Sequence, residues 1–374
     1  MRLTIIGPVY PYRGGIAHFT TVLVKKLGEA GHNVQVISFK KQYPTWLYPG
    51  ESDKDFSEGR DKVDAKYLLS PINPFSWQRT IKTIIDFQPD RVVIPWWITF
   101  WGPAFHFLIS HLKQNGILTT FLIHNTIPHE ANPLDKQIAR WTLKTATRYI
   151  VMTKKERVRL LTLLPGIKNV NISPHPIYRH FKSSQMNKLE LRLKLELPID
   201  QTIMLFFGFV RPYKGLHDLL KAQNLILAEG RQITLVIAGE FWDNLYSYEQ
   251  QIKTLGLTNY VKIFNKYIPD EEVAQYFELA DLFVAPYISG TQSGILKTAL
   301  GFGIPSVVTD VIVDDLIKFF PQQCKIVPSR DPLALAKGIL EQLNIPSLNN
   351  DNIESIYSKT WDKFIDTICR DKYN

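Results

Sequence analysis

Leu205-Phe-Phe-Gly208-Phe-Val-Arg211-Pro-Tyr-Lys214-Gly215-Leu-His-Asp-Leu-Leu220 sets a hydrophobic strand, a cationic turn and a helix start in immediate succession. Leu205 to Phe207 read as the end of a buried strand. Gly208 lets the chain turn where a side chain would block a ligand, and a helix starting near Lys214 offers unpaired amides. Arg211 and Lys214 add two full charges beside those amides. An exposed helix N-terminus alone favours an anion by only about 0.3–1 kcal/mol, so two cations held there point to a multiply charged ligand such as a diphosphate. The alternative is a solvated basic turn, and the rest of the chain weighs between the two.

A second glycine-bearing turn follows the first strand, Arg2 to Ile6, as Gly7-Pro-Val-Tyr-Pro-Tyr-Arg-Gly14-Gly15-Ile-Ala-His-Phe, and leads into an amphipathic helix ending near Gly31. A nicotinamide-binding fingerprint would need three closely spaced glycines and an acidic residue at the end of the next strand to hold the ribose. Here the glycines are spread over positions 7, 14 and 15, and the second strand, Val34 to Phe39, runs into Lys40 and Lys41. Gly14 and Gly15 fit a loop whose backbone closes on a ligand, or a plain turn before a helix.

The 374 residues, 45% of them apolar, are enough for two cores. Two cysteines, Cys324 and Cys369, make no disulfide framework, which suits a reducing, cytoplasmic setting. The chain opens on a strand, so no signal peptide is expected. Between Arg91 and Lys113 lie 21 uncharged residues, long enough to cross a bilayer. Pro95, Gly102, Pro103, His106 and His111 interrupt them, and the stretch reads as a strand ending before Pro95, a loop with Trp96, Trp97 and Trp101, and a helix.

Charge is unevenly placed. Residues 1–180 hold 24 Lys and Arg against 12 Asp and Glu, and residues 181–374 hold 20 against 23. A basic first half suits nucleic acid, an anionic membrane face or a phosphorylated substrate. No groove-reading or base-stacking module appears, which argues against nucleic acid. The basic helices at Lys136 to Arg148 and Lys154 to Arg159, mixed with Trp141, Leu143, Val158 and Leu160, suit lipid headgroups; ordinary solvated helix faces are the other reading.

Strands are expected at 2–6, 34–39, 91–94, 118–123 and 148–152, then at 202–207, 232–238, 260–264, 281–285 and 305–308, with helical patterns between them. This alternation predicts parallel sheets in two doubly wound α/β domains facing each other. The proline-rich junction Ser173-Pro-His-Pro-Ile-Tyr178 marks the boundary, giving domains at 1–178 and 179–353, with a last helix in 354–374 crossing back to the first. Asp53-Lys-Asp55 has the spacing of a metal-binding pair but sits in a polar segment, Gln42 to Asp64, and reads as solvated loop; no metal or other cofactor is expected.

With these residues in place the chain resembles a family 4 glycosyltransferase of the GT-B fold, two Rossmann-like domains across a cleft. The resemblance rests on the Gly-Gly turn, Leu205–Leu216, Ile237-Ala-Gly239-Glu240, Tyr267-Ile-Pro-Asp-Glu-Glu-Val, Ala280-Asp-Leu-Phe-Val-Ala-Pro286 and Gly303-Ile-Pro305, and it extends over nearly the whole chain. It is nearest to bacterial members with Asn-x-Ile-Pro-His-Glu, here Asn125 to Glu130, and Thr-Gln-Ser-Gly, here Thr291 to Gly294. The resemblance implies metal-independent transfer, with retention of configuration, from a nucleotide-diphosphate sugar bound mainly by the second domain. The donor would meet Gly14, Gly15, Gly208, Gly239, Glu240, Tyr267, Gln292, Ser293, Gly294, Ile295 and Thr298. Arg211 and Lys214 would stabilise the leaving diphosphate, Glu130 and His129 would orient the acceptor or the sugar, the His124 backbone carbonyl would support the oxocarbenium-like centre, and Asn125, Trp96 and Trp97 would meet the acceptor. The paired glutamates common in the family are replaced by Thr298 and by Gly290 or Thr291.

The expected function is therefore a transferase extending a lipid-linked or cell-surface glycan, on a polyprenyl-linked acceptor for example, at the inner face of an anionic membrane. A non-catalytic GT-B protein binding a nucleotide or partner, and a sugar-nucleotide epimerase, are the alternatives.

Overall fold

The computed structural model describes residues 1–43, 52–55, 61–128, 132–181 and 183–370. They form two compact units, one from Met1–Phe56, Arg60–Pro174 and Trp361–Asn374, the other from His175–Thr360. The division falls just before His175, inside the Ser173–Tyr178 junction and ahead of the expected second-domain start at residue 179. His175 and Tyr178 are part of the second unit, where the Tyr178 hydroxyl lies 3.1 Å from His175 Nε2 and the Tyr178 amide donates to the Lys297 carbonyl at 3.2 Å.

In the first unit the strands are β1 (Arg2–Ile6), β2 (Asn33–Phe39), β3 (Lys66–Leu69), β4 (Arg91–Trp96), β5 (Leu118–Ile123), β6 (Arg148–Val151) and β7 (Val170–Ile172). The helices are α1 (Gly15–Glu29), α2 (Pro74–Phe87), α3 (Gly102–Gln114), α4 (Pro133–Leu143) and α5 (Lys154–Leu163). All pairings are parallel, in the order β3-β2-β1-β4-β5-β6-β7. The central strands are apolar runs covered on both faces, as a parallel sheet requires. The short edge strands β3 and β7 carry no such run and were not expected from the sequence.

Strand β4 continues through Pro95 instead of stopping before it. Pairing with β1 ends at Ile5 and Val93, so the missing N–H of Pro95 costs no ladder bond on that side. Extending the strand by two residues turns Trp96 inward. It is fully buried, and its indole Nε1 donates to the Thr126 carbonyl at 3.2 Å.

The second unit contains α6 (Lys188–Lys194), β8 (Thr202–Phe207), α7 (Leu216–Ala228), β9 (Ile233–Ala238), α8 (Leu245–Thr254) and β10 (Val261–Phe264). It continues with α9 (Asp270–Leu279), β11 (Leu282–Ala285), α10 (Gly294–Gly301), β12 (Ser306–Thr309), β13 (Cys324–Val327) and α11 (Pro332–Gln342). Its sheet is parallel, in the order β10-β9-β8-β11-β12-β13, with an apolar cluster on each face. In both sheets the strand order reverses beside the first strand of the unit, between β1 and β4 and between β8 and β11. Ligands in open α/β sheets bind beyond the carboxyl ends of the strands at such a reversal.

The last helix, α12 (Asn350–Cys369), begins earlier than the sequence suggested, and its residues from Trp361 onward group with the first unit. There Phe19 of α1 stacks on Trp361 with ring centroids 5.8 Å apart and meets Phe364 edge-on at 5.5 Å. Two buried guanidiniums finish the helix. Arg91 donates to the carbonyls of Ile368 and Arg370, and Arg148 to those of Thr367, Ile368 and Arg370. Arg148, read as part of a basic lipid-facing cluster, is thus turned inward as a helix cap, where a cation satisfies the unpaired carbonyls and the negative end of the helix dipole.

Candidate functional site

The reversal in the second sheet brings together the loop after β8 and the loop after β11. Between β8 and α7 the chain makes a 3-10 turn, Pro212–Lys214, and enters α7 through Gly215 at φ 73°. A Cβ on Gly215 would lie 1.9 Å from the Pro286 carbonyl oxygen, so only glycine lets the two loops approach this closely. The Ile288 amide donates to the Tyr213 carbonyl at 2.8 Å and locks them.

Lys214 points back into this junction. It is buried, its Nζ lies 5.8 Å from the centre of the Tyr287 ring, and it would stand 3.2 Å from a Cβ placed on Gly208. The Gly208 site is therefore shaped by the lysine as well as by its own φ of 92°. Burial first, and the Arg211 guanidinium second, lower the Lys214 ammonium to about 7. Two cations crowded in a partly desolvated turn are unfavourable on their own and favourable once an anion joins them. Arg211 lies over the rings of Trp242 and Tyr213, 5.6 and 5.9 Å from their centres.

Ile295, Gly239 and Glu240 adjoin this turn. Ile295 would lie 3.4 Å from a Gly208 Cβ, and a Cβ on Gly239 would press to 2.4 Å on the Gly208 carbonyl oxygen. Glu240 accepts from the Val210 amide at 2.9 Å through its main-chain carbonyl. Gln292 is half-buried before α10 and Gly294 opens that helix, while Tyr267 is half-buried between β10 and α9.

Two expected side chains are committed elsewhere. The buried Ser293 hydroxyl accepts from the Leu296 amide at 3.2 Å as the N-cap of α10 and donates to the Tyr287 hydroxyl at 3.3 Å. Thr298, also buried, donates to the Gly294 carbonyl one turn back at 3.4 Å. Both shape α10 instead of presenting a free hydroxyl.

In the first unit, Gly14 at φ 96° caps α1 and Gly15 is its first residue, beyond the carboxyl end of β1. His124, after β5, is buried. Its amide donates to the Trp96 carbonyl at 2.9 Å and its ring meets Phe19 edge-on at 4.9 Å. Asn125 is half-buried beside it. Trp97 is half-buried with its indole N–H on the Tyr43 hydroxyl at 2.8 Å. Trp96 is a core residue, as is Trp101, and presents no face to an acceptor. His129 and Glu130 lie outside the described residues.

The Asp53 segment is held more firmly than a solvated loop. Lys54 bridges Tyr12, the Arg13 amide donates to the Asp53 carbonyl at 2.9 Å, and Asp55 is buried. Among the described residues no three His, Cys, Asp or Glu side chains gather as a metal site.

The sequence reading missed Lys297, Tyr287 and Glu156. Lys297 is wholly buried in α10 and paired at 2.5 Å with Asp314, also wholly buried. The signal was there: a single charge inside Gly-Ile-Leu-Lys-Thr-Ala-Leu-Gly needs a partner. Tyr287 lies under Lys214. Glu156 of α5, fully buried, accepts from the Thr126 amide at 2.7 Å and from its hydroxyl at 2.6 Å, which fixes the loop carrying His124 and Asn125.

Residues 13–177 match the family model described as Glycosyltransferase Family 4, and residues 201–344 the one described as Glycosyl transferases group 1. Each unit thus resembles a glycosyltransferase family model, and the two parallel-sheet α/β units have the GT-B fold. Among the described residues, the former match lies in the first unit apart from residues 175–177, and the latter in the second unit. A Bacillus subtilis (strain 168) protein named "Putative teichuronic acid biosynthesis glycosyltransferase TuaC" is 27% identical over 184 residues, 48% of this chain and 43% of that one. The chain spans less than half the length of the curated relatives it matches. Among solved structures, Anabaena HepE in complex with UDP and glucose is similar at TM-score 0.69 and 15% identity, covering 97% of this chain and 96% of that one. A sucrose-phosphate synthase from Thermosynechococcus elongatus is similar at TM-score 0.65 and 14% identity, covering 97% of each chain.

Proposed function

We propose that the protein transfers a sugar, with retention, from a nucleotide-diphosphate sugar to a lipid-linked or cell-surface glycan acceptor at an anionic membrane face. The observation that carries the donor half is the buried Lys214 beside Arg211 at the sheet reversal, where α7 and α10 both begin. The solved HepE structures that share this fold hold UDP, UDP with glucose and UDP-glucose, which supports a nucleotide sugar.

In the proposed reaction the bond from the anomeric carbon to the diphosphate breaks and a bond to the acceptor oxygen forms on the same face. The acceptor proton passes to the departing phosphate oxygen, so no protein base is obligatory. Charge concentrates on that oxygen, and fixed cations and amides stabilise it more in the transition state than in the ground state. Arg211, Lys214 and the amides of Gly294 and Ile295 take that role. With Ser293 and Thr298 committed to their helix, Gln292 is the neutral side chain for the donor sugar. The His124 carbonyl and Asn125, on the loop that Glu156 fixes, serve the acceptor side together with His129 and Glu130.

The test is release of nucleoside diphosphate from a panel of nucleotide sugars, with and without lipid-linked acceptor. Release that depends on acceptor and survives a chelator is expected, with Arg211→Ala and Lys214→Ala each lowering turnover by about 100-fold or more. Nucleotide binding without any release would favour a non-catalytic binding protein, and isomerised or free sugar without acceptor an epimerase.

A further inference from the structure

Helices α2, α3 and α4 pack side by side on one face of the first sheet. Trp77 of α2 meets Phe107 of α3 with ring centroids 5.5 Å apart, and His106 of α3 stacks on Trp141 of α4 at 3.6 Å. The outward side of this layer has two features that seldom coincide on a solvated surface.

The first is exposed apolar bulk. Ile72, in the turn before α2, and Phe75, in its first turn, are 79% and 81% exposed, and Leu134 and Trp141 of α4 are 59% and 42% exposed. Between α2 and α3 runs a groove of about 320 Å³ lined by Ile81, Ile85 and Phe107, with Lys82, Gln78 and His111 at its edges. Single exposed apolar side chains are ordinary, whereas several large ones on one helix layer that also carries an apolar groove point to a contact surface.

The second feature is charge. Arg79, Lys82, Lys113, Lys136, Arg140 and Lys144 are all exposed on these helices or directly after them, and none pairs with a carboxylate among the described residues. The acidic residues of the three helices are Asp86 and Asp135, and Asp135 is already used in the capping box of α4. A basic helical face bearing aromatic and aliphatic side chains has the chemistry of a lipid headgroup region.

We propose that this α2–α4 face docks the protein on an anionic bilayer, with Ile72 and Phe75 entering below the headgroups and the six cations lying against lipid phosphates. The inference rests on the membrane part of the function proposed above and moves it to a definite surface. The Trp96 and Trp101 side chains are core, and Arg148 caps α12, so the lipid contact falls to the helix layer.

The experiment is co-sedimentation of the full chain with vesicles of phosphatidylcholine alone or mixed with phosphatidylglycerol. Wild-type protein is expected to bind the anionic vesicles, to lose that binding as salt shortens the screening length from about 10 Å at 0.1 M to about 3 Å at 1 M, and to bind neutral vesicles far less. Ile72→Ser with Phe75→Ser should cut anionic binding at least tenfold, and Arg79→Glu with Lys82→Glu should do the same. Leu189→Ser with Leu193→Ser, on the exposed side of α6, should leave it unchanged. Nucleoside diphosphate binding, read separately, should match wild type in every variant, since none of these residues belongs to the donor site.

Wild-type binding that the α2 substitutions do not weaken would overturn this surface and leave the membrane reading standing. Absence of wild-type binding to any vesicle would overturn both. Self-association abolished by Phe75→Ser, without vesicle binding, would make the face an interface between copies and overturn the proposal.

Discussion

Because Lys214 sits near pH 7 in the unliganded protein, a diphosphate that favours the charged ammonium must raise that value on binding. Nucleotide binding should therefore take up a proton above about pH 7 and none well below it. Affinity falls as pH rises from about 7, by at most about tenfold per unit. Calorimetry at pH 8 in two buffers of different ionisation enthalpy reads the uptake directly, and equal heats would remove Lys214 from the phosphate. The same depression fixes the sign for stability. The unfolded lysine titrates near 10.4, so between about pH 7 and 10 the unfolded chain binds the extra proton and this group makes folding more favourable as pH rises. Lys297 is paired with a wholly buried Asp314. Lys297→Met strands that carboxylate and should cost about 3–5 kcal/mol in a urea titration. Lys297→Met with Asp314→Leu should recover a large part of it; a double variant no better than the single would deny the pairing.

At the level of elements, the loops after β8 and β11 are joined through Gly215, which meets the Pro286 carbonyl, whereas Gly230 at φ 76° has open space around its Cβ position. Gly230→Ala should cost about 1–2 kcal/mol for the left-handed backbone alone. Gly215→Ala adds a collision with main chain, so it should cost clearly more and also weaken nucleotide binding; equal costs would mean that the loops do not depend on each other. These elements also show what a sequence can reveal. Runs such as Ile203 to Phe207 and Ile233 to Ala238 announce buried parallel strands, and all ten expected strands exist. The short strands β3, β7 and β13 did not declare themselves, because three or four partly exposed residues have no run to read. Trp96 was misplaced for a related reason: neighbouring strand residues face opposite ways, so adjacent tryptophans go one inward and one outward, and the strand's true end decides which. The cation pair of the turn after β8 was legible because its residues lie close together in the sequence. Tyr287, Lys297 and Glu156 were not, because their roles depend on partners far away in the chain.

Over the whole molecule, the proposed donor residues other than Gly14 and Gly15 belong to the second unit, and a nucleotide should therefore stabilise that unit first. At about 100 times its dissociation constant, a ligand adds about 2.7 kcal/mol, or roughly 5–10 °C for a domain of this size. Scanning calorimetry with UDP should displace one unfolding transition and leave the other in place; a uniform shift of a single transition would show that the units melt together. The guanidinium cap on α12 has a practical corollary for anyone handling the chain. Cutting the polypeptide after residue 366 would remove the carbonyls of Thr367, Ile368 and Arg370 and strip the buried Arg91 and Arg148 of these acceptors. A deletion reaching into residues 367–370 should therefore give insoluble protein, and a tag or fusion belongs where it leaves the final turn of this helix intact.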